Sequence, residues 1–208
     1  MVTNKKLIAS VAISFLLVAC GSLIPSGHQQ IEISQWKGGD YKLDPDHASL
    51  TFSINHLGFS NYIGRFNTLD ASLDFDPEKP EDTRLSATVQ IDSLDVNNPE
   101  FAETLKGSSW FNAKEFPTGY LESTQITFAG ENQAKLMGNL TLKGVTRPVV
   151  FDVSFNGGAN NFLTGKYTLG FAAKGTIKRS EFGISSLVPA IGDEVELQIS
   201  AEFLRGSE

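Results

Sequence analysis

A period-two alternation of apolar and polar residues is the feature that most constrains this chain. In LDASLDF, residues 69–75, the odd positions are apolar and the even positions are polar. Because successive side chains of a β-strand point to opposite faces, this pattern predicts a strand with one buried and one solvated face. The same alternation continues over residues 85–91, 151–155, 167–173 and 195–203.

About eight strands are predicted in all, since strand-like runs also occupy residues 50–56, 121–128 and 135–142. Turn-rich segments such as DPEKPED (76–82) and NGGANN (156–161) separate the strands. Roughly eight antiparallel strands can close into a barrel whose interior is filled by side chains or holds one small ligand. Periodicity alone does not distinguish such a barrel from a two-sheet sandwich, and we favour an all-β, eight-stranded antiparallel barrel.

One segment departs from the alternation and predicts a short helix. PEFAETLK, residues 99–106, follows Asn98, a residue type favoured at the N-cap, and begins with Pro99, which fits the first helical turn. Gly107 comes directly after it, where glycine commonly ends a helix. We therefore expect one short helix inserted between two strands.

The N-terminal segment has the pattern of an export signal. Lys5 and Lys6 precede an apolar run over residues 7–19, and the only cysteine of the chain, Cys20, follows that run. A basic start and a short apolar core are typical of a secretory signal peptide. Leu-Val-Ala-Cys, residues 17–20, resembles the bacterial lipoprotein box, which implies cleavage before Cys20 and a diacylglyceryl group on its thiol.

This pattern divides the chain into three parts. Residues 1–19 are the predicted lipoprotein signal peptide, residues 20–38 a lipidated tether and residues 39–205 a single β-barrel domain. Two or more acyl chains hold a protein stably at a membrane. Gly21 stands where Gram-negative lipoproteins retained at the inner membrane tend to carry Asp, so the expected location is the outer membrane, facing the periplasm.

Composition narrows the possible partners and the source of stability. A formal net charge of −7 argues against nucleic-acid binding, which requires a basic surface. A single cysteine cannot close an intramolecular disulfide, so a packed interior must stabilise the domain. The 15 Phe against 4 Tyr suit such an interior and equally suit an apolar pocket, because phenylalanine carries no polar group.

Five stretches of the chain carry a family resemblance. They occupy residues 41–67, 110–124, 138–151, 170–184 and 190–203 and include the segments YKLDPDHASLTF, WFNAKEFP, GNLTLKGVTRP, GTIKRSEFGI and AIGDEVELQ. Together, in this order and spacing, they resemble the YceI-like family of exported polyisoprenoid-binding proteins. The resemblance implies a lipocalin-like barrel that holds a long isoprenoid chain or another long-chain amphiphile, such as a quinone-like lipid.

Apolar faces of the predicted strands, together with the segment that follows the first strand, supply the expected cavity lining. Most of the binding free energy would come from apolar surface removed from water, at about 25 cal/mol per Å². The candidate ligand-binding residues are Phe52, Ile54, Phe59, Tyr62, Phe151, Val153, Phe155, Tyr167, Leu169 and Phe171.

Three polar residues are candidates for contact with a lipid head group. His47 and His56 flank the first predicted strand, and they could also belong to a metal site, form an acid–base pair or make ordinary hydrogen bonds at strand ends. Arg179 could bind a polar oxygen at the barrel mouth or pair with Glu181 to close the barrel end. Because a zinc site needs three or four ligands in fixed geometry and the chain has only three histidines, no metal site is predicted.

These observations favour an envelope lipoprotein that binds a long-chain lipid for transport, storage or sequestration. We expect no enzymatic activity and no cofactor, since the nucleophile-elbow, zinc-protease, dinucleotide and P-loop motifs do not occur in the sequence. The expected partners are the lipid ligand and the membrane at Cys20, and a homodimer is possible. Two alternatives stay open: an enzyme acting on an isoprenoid lipid with His47 or His56 as base, and a structural lipoprotein without a ligand.

Overall fold

The structure of the protein is a computed structural model, which describes residues 35–130 and 132–206. These residues form ten β-strands and one α-helix. In chain order they are β1 (Gly39–His56), β2 (Ser60–Phe66), β3 (Leu69–Phe75), β4 (Arg84–Gln90), β5 (Leu94–Asp95), α1 (Pro99–Lys106), β6 (Thr118–Phe128), β7 (Gln133–Leu142), β8 (Val145–Asn160), β9 (Tyr167–Lys178) and β10 (Ile191–Arg205).

Eight of these strands form a closed antiparallel barrel, in the order β1–β3–β4–β6–β7–β8–β9–β10, with β10 pairing back onto β1. The short strands β2 and β5 lie outside this ring, because β2 pairs with the second half of β1 and β5 pairs with β2. The predicted eight-stranded, lipocalin-like barrel with one inserted helix is therefore confirmed.

The predicted helix is confirmed together with its caps. Asn98 accepts a hydrogen bond from the backbone N–H of Phe101 at 3.1 Å, and the N–H of Gly107 bonds the carbonyl of Thr104 at 3.1 Å. Ala102 and Leu105 are buried against the barrel, so one face of the helix covers apolar surface.

The turn predicted at 156–161 is wrong. β8 continues to Asn160, and the connection to β9 occupies residues 161–166. The glycines at 157 and 158 belong to the strand and coincide with a break in its register against β9, between Phe155 and Gly157. Glycine inside a strand commonly marks such an irregularity rather than a turn.

A large irregular bulge interrupts β1. Leu43 pairs with Phe203 of β10 and Ala48 pairs with Ala201, so the four residues 44–47 stand opposite the single residue Glu202. A bulge bends its strand and redirects side chains. Here it brings Asp44 and His47 to the outside of the barrel wall, beside Glu202.

One end of the barrel, called the sealed end below, is covered by the β1–β2 turn (57–59), α1, residues 107–117 and residues 179–190. Beneath this cover lies a packed cluster of buried apolar residues: Phe66, Ile91, Leu94, Val96, Ala102, Leu105 and Ala113. Hydrogen bonds join the covering segments. Ser186 Oγ donates to the carbonyl of Ser109 at 2.6 Å, and Lys143 Nζ, from the β7–β8 turn, donates to the carbonyls of Ser108 and Gly183 at 3.3 and 3.1 Å.

The opposite end, called the Trp36 end below, comprises residues 35–38, the β3–β4 turn (76–83), the β6–β7 turn and the β8–β9 loop (161–166). The Trp36 side chain is 5% exposed and packs within this end. The predicted tether therefore extends too far, because its last residues belong to the barrel. An apolar tryptophan buried among Phe75, Phe155 and Phe171 explains this difference.

The predicted signal peptide (1–19), Cys20 and tether residues 20–34 lie outside the described residues. Within the described part of the chain, every helix is too short or too polar to cross a membrane.

Candidate functional site

An apolar cavity of about 240 Å³ occupies the interior of the barrel. Every strand of the eight-stranded ring contributes a large apolar side chain to its wall: Leu43, Leu73, Leu85, Leu121, Leu136, Phe151, Phe171 and Leu197. This placement follows directly from the alternation in the sequence, since the apolar positions of each strand face inward.

The cavity is large enough to receive part of an organic molecule. An apolar cavity of roughly 150 Å³ in a protein core stays dry and binds benzene, whereas pockets for drug-sized ligands measure roughly 300–1,000 Å³. At about 240 Å³ the cavity lies between these values. The barrel interior is therefore not completely packed by its own side chains.

Three of the ten predicted ligand-binding residues border the cavity. Phe151 and Val153 on β8 and Phe171 on β9 line its wall. Phe155, on the same face of β8, lines only a small adjoining space of about 20 Å³, which it shares with Trp36.

Two other predicted residues are part of the packing at the Trp36 end. Leu169 is 0% exposed and Tyr167 is buried, both in one cluster with Trp36, and neither borders the cavity. Their strand-like alternation indicates correctly that they point inward. The alternation cannot show that other side chains already fill the barrel interior around Tyr167 and Leu169.

The remaining four predicted residues lie at the sealed end and do not line the cavity. Phe52 packs on Phe66 with 5.9 Å between ring centroids, Tyr62 donates a hydrogen bond to the carbonyl of Val96 at 3.1 Å, and Ile54 pairs with Tyr62 across the strands. Phe59 is 89% exposed at the β1–β2 turn. β1 extends beyond the cavity, so the second half of its apolar face belongs to the sealed end.

Arg179, a candidate for head-group contact, lies at the sealed end and makes its hydrogen bonds within the protein. Its guanidinium is buried and donates to the carbonyls of Ile184, Ser186, Ile191 and Gly192 at 2.8–2.9 Å. It also lies over Trp110, 5.4 Å from the ring centroid. Arg179 holds the segment between β9 and β10 in place and so stabilises the sealed end, without the predicted pairing to Glu181.

The nearby acid is Asp193, which accepts hydrogen bonds from the backbone N–H and the hydroxyl of Ser180 at 2.9 and 2.7 Å. Burial acts to raise the pKa of Asp193, but these two hydrogen bonds and the charge of Arg179 outweigh it and lower the pKa overall. Burial also lowers the pKa of Arg179, and Asp193 opposes that shift. Arg179, Ser180 and Asp193 thus form a group of hydrogen bonds and opposite charges that holds the segment between β9 and β10.

His47 lies outside the cavity, on the β1 bulge. Its Nδ1 is 3.0 Å from Oδ2 of Asp44, and the hydrogen bond and charge of Asp44, followed by the charge of Glu202, raise the pKa of His47. The three side chains place one potential ligand atom each within 4.8 Å of one another. They could hold a divalent cation through three protein ligands, an arrangement that a count of histidines alone misses because two ligands are carboxylates.

His56 is exposed at the end of β1, with its ring 6.3 Å from the ring of Tyr62. It neither borders the cavity nor belongs to the cluster at His47. The structure therefore separates the two histidines and brings neither to the cavity wall.

Comparison with known proteins agrees with this architecture. A family model described as the YceI-like domain matches residues 41–203. The chain belongs to the YceI-like family. A UPF0312 protein from Pseudomonas paraeruginosa is 34% identical over 203 residues, which cover 97% of this chain and 98% of that protein.

Two solved structures show the same YceI-like fold. The YceI protein of Campylobacter jejuni has a TM-score of 0.67 and 31% identity, covering 74% of this chain and 91% of that chain. A polyisoprenoid-binding domain from Saccharophagus degradans, implicated in plant cell wall breakdown, has a TM-score of 0.60, covering 82% of this chain and all of that chain. At 12% identity, the second comparison shows the fold alone.

Trp36 lines the cavity although no alternation in the sequence predicts it. Its ring lines the cavity and contacts Phe155 with 3.6 Å between ring centroids. It belongs to no alternating run, since it precedes β1 in a segment rich in serine, glycine and glutamine. The one available signal is a large aromatic residue in an otherwise polar segment.

Proposed function

We propose that this protein is a lipid-anchored binding protein of the cell envelope, with an isoprenoid or other long-chain lipid held in the barrel. The observation that carries the proposal is the apolar cavity of about 240 Å³ bordered by all eight ring strands. Such a cavity favours ligands by burial of apolar area and discriminates weakly between chains that differ by one methylene group. The polyisoprenoid-binding neighbour supports this ligand class.

The ligand enters at the Trp36 end. At the sealed end a packed, hydrogen-bonded cover separates the cavity from solvent, whereas at the opposite end the indole of Trp36 borders the cavity directly. A long chain needs more room than a cavity of about 240 Å³ offers. Outward movement of Trp36 would extend the cavity toward this end, so bound lipid would replace the indole.

The barrel binds its ligand without chemical turnover. The groups able to transfer a proton that drew attention in the sequence, His47, His56 and Arg179, all lie away from the cavity wall. A general base must come within about 3 Å of the proton that it removes, directly or through one water molecule. The role is then transport, storage or sequestration of the lipid.

Titration of delipidated protein with a polyprenol or a quinone tests the binding proposal. We expect saturable binding of one chain per barrel, with a change in the fluorescence of Trp36. A Trp110→Phe variant isolates that signal, because the chain has only two tryptophans. Absence of saturable binding of either lipid would refute the proposal.

Lipid anchoring is tested separately at Cys20. Mass spectrometry of the mature chain is expected to find an acylated cysteine at its N-terminus. The variant Cys20→Ala should remain uncleaved or be released from the membrane fraction. A variant that is still cleaved and still membrane-bound would show that another feature anchors the protein.

A further inference from the structure

Two large apolar side chains project from the rim of the Trp36 end. Phe162 and Leu163, in the β8–β9 loop, are 75% and 79% exposed. Hydrogen bonds fix the loop that carries them: Asn161 N–H bonds the carbonyl of Lys166, Gly165 N–H bonds the carbonyl of Asn161, and Leu163 N–H bonds Asn161 Oδ1, at 2.8–2.9 Å. A fixed loop therefore presents this pair to the surroundings.

Two cations flank this apolar pair. Lys166 is exposed within the loop, and Lys37, on the segment that precedes β1, is exposed beside it. Lys37 Nζ donates to Oδ1 of Asn160 at 3.3 Å and lies 4.9 Å from the ring centroid of Tyr167. Apolar side chains surrounded by lysines are typical of surfaces that rest in the interfacial layer of an anionic bilayer.

The path of the chain points to the same occupant. The described residues begin at Gln35, at this rim, and only residues 21–34 separate it from the predicted lipidated Cys20. The fifteen Cα–Cα steps from Cys20 to Gln35 span at most about 54 Å. An anchor this close gives the loop a high effective concentration at the membrane, so a contact of two side chains suffices to orient the barrel.

We propose that Phe162 and Leu163 insert into the bilayer that holds the lipid anchor, so that the Trp36 end faces the membrane. A lipid then passes between bilayer and cavity without crossing bulk water. The acidic β3–β4 turn, with Asp76, Glu78, Glu81 and Asp82, lies on the same end and is repelled by anionic lipid, which confines the contact to the β8–β9 side. This inference rests on the proposed lipid anchoring.

The sealed end also exposes apolar side chains, among them Phe59 at 89% and Leu187 at 66%. It lies at the opposite end of the barrel from Gln35 and is closed by the packed cluster. A contact there would hold the cavity entrance away from the anchoring membrane. Phe59 therefore offers a matched control position.

The test uses the full-length, lipidated protein in vesicles of phosphatidylethanolamine and phosphatidylglycerol. An environment-sensitive fluorophore is attached to Leu163→Cys or, as control, to Phe59→Cys. The label on Leu163→Cys is expected to shift its emission to the blue, to be quenched by spin-labelled lipid and to resist quenching by iodide. The label on Phe59→Cys is expected to show the opposite behaviour.

Labelling of the wild-type protein distinguishes failure of the proposed lipid anchoring from failure of the proposed contact of Phe162 and Leu163 with the bilayer. An acylated Cys20 has no free thiol, so the wild type should take up no label; a labelled wild type would refute both the anchoring and the rim contact. If the wild type stays unlabelled while the Leu163→Cys label is quenched by iodide, only the rim contact is refuted. Lipid quenching at Phe59→Cys would place the sealed end on the membrane and overturn the inference.

A second readout follows lipid transfer. The double variant Phe162→Ser/Leu163→Ser is expected to take up a fluorescent quinone from vesicles more slowly than wild type, while binding of the same quinone in detergent stays unchanged. Leu187→Ser, at the sealed end, should change neither the rate of quinone uptake from vesicles nor the binding of quinone in detergent. Equal uptake rates for the double variant and the wild type would contradict a role of the loop in lipid transfer.

Discussion

The two ends of the barrel are closed by different means. At the sealed end, a helix, two connecting segments and the four carbonyl bonds of Arg179 form a cover over seven packed apolar residues. At the Trp36 end, buried side chains such as Tyr167 and Leu169 fill the interior, and Trp36, from the segment before β1, reaches the cavity. Because side chains move more easily than a cover of cross-linked segments, the difference favours the Trp36 end as the entrance for a ligand.

The largest effect is expected from Arg179→Met. Methionine keeps most of the side-chain volume but leaves four carbonyls without their donor, one of them in a buried hydrogen bond and three in partly buried ones. At the lower end of the cost of an unsatisfied acceptor, about 1 kcal/mol each, the free energy of unfolding should fall by about 4 kcal/mol, measured by chemical denaturation. Arg147→Met, at an exposed position, is the control and should change stability little. A loss near 1 kcal/mol would mean that the cover does not depend on Arg179.

Trp36→Ala should lower stability less than Arg179→Met does, but it should change the rates of lipid uptake and release more. Burial of the indole predicts a loss of about 3 kcal/mol, at the lower limit for such truncations because one face already borders a cavity. Uptake and release of a polyprenol should both become faster in stopped-flow measurements. Unchanged exchange rates in a folded Trp36→Ala protein would show that the ligand enters elsewhere.

A pair of identical substitutions compares the cavity with the sealed end. Val153 borders the cavity, whereas Val96 is 5% exposed in the packed cluster. Val96→Trp overfills a packed site and should cost about 1–3 kcal/mol or more. Val153→Trp fills existing space and should leave the melting temperature of the delipidated protein within a few degrees of wild type. Equal destabilisation by both would mean that the cavity is not available as free space.

The smallest effect concerns pH and involves the barrel wall, away from either end. The hydrogen bond that His47 donates to the Asp44 carboxylate raises the pKa of His47 above its ordinary value of 6.5. The stabilisation from protonated His47 is therefore complete below about pH 6.5 and disappears as the pH rises through the folded-state pKa. NMR titration should find the pKa of His47 lowered in Asp44→Asn, with lipid retention unaffected. An unchanged pKa would exclude Asp44 as the cause.

The barrel was predictable because its information is local. Alternation along 69–75 needs no knowledge of the partner strand to predict an inward and an outward face, and Asn98 and Gly107 bracket the helix within their own segment. Closure by β1 and β10 is the long-range part of the fold, and here the family resemblance predicted what periodicity left open.

The sequence predicts that the barrel has an apolar interior, but it predicts only some of the residues that line the cavity. Phe151, Val153 and Phe171 line it, but Phe52 and Leu169, further along the strands, belong to the packed clusters at the two ends, which alternation does not reveal. Trp36 and the grouping of Glu202 with His47 depend on contacts between segments far apart in sequence. Such contacts become visible only when the barrel is closed.

The amount of lipid that accompanies the protein tests the central claim most directly. Wild type, Val153→Trp and Val153→Ala are purified from membranes in mild detergent, and bound lipid per barrel is quantified by mass spectrometry. We predict close to one long-chain lipid per barrel in wild type and in Val153→Ala, and a clear loss in Val153→Trp. Lipid retained in full by Val153→Trp, or absent from the wild type, would contradict a ligand-binding cavity.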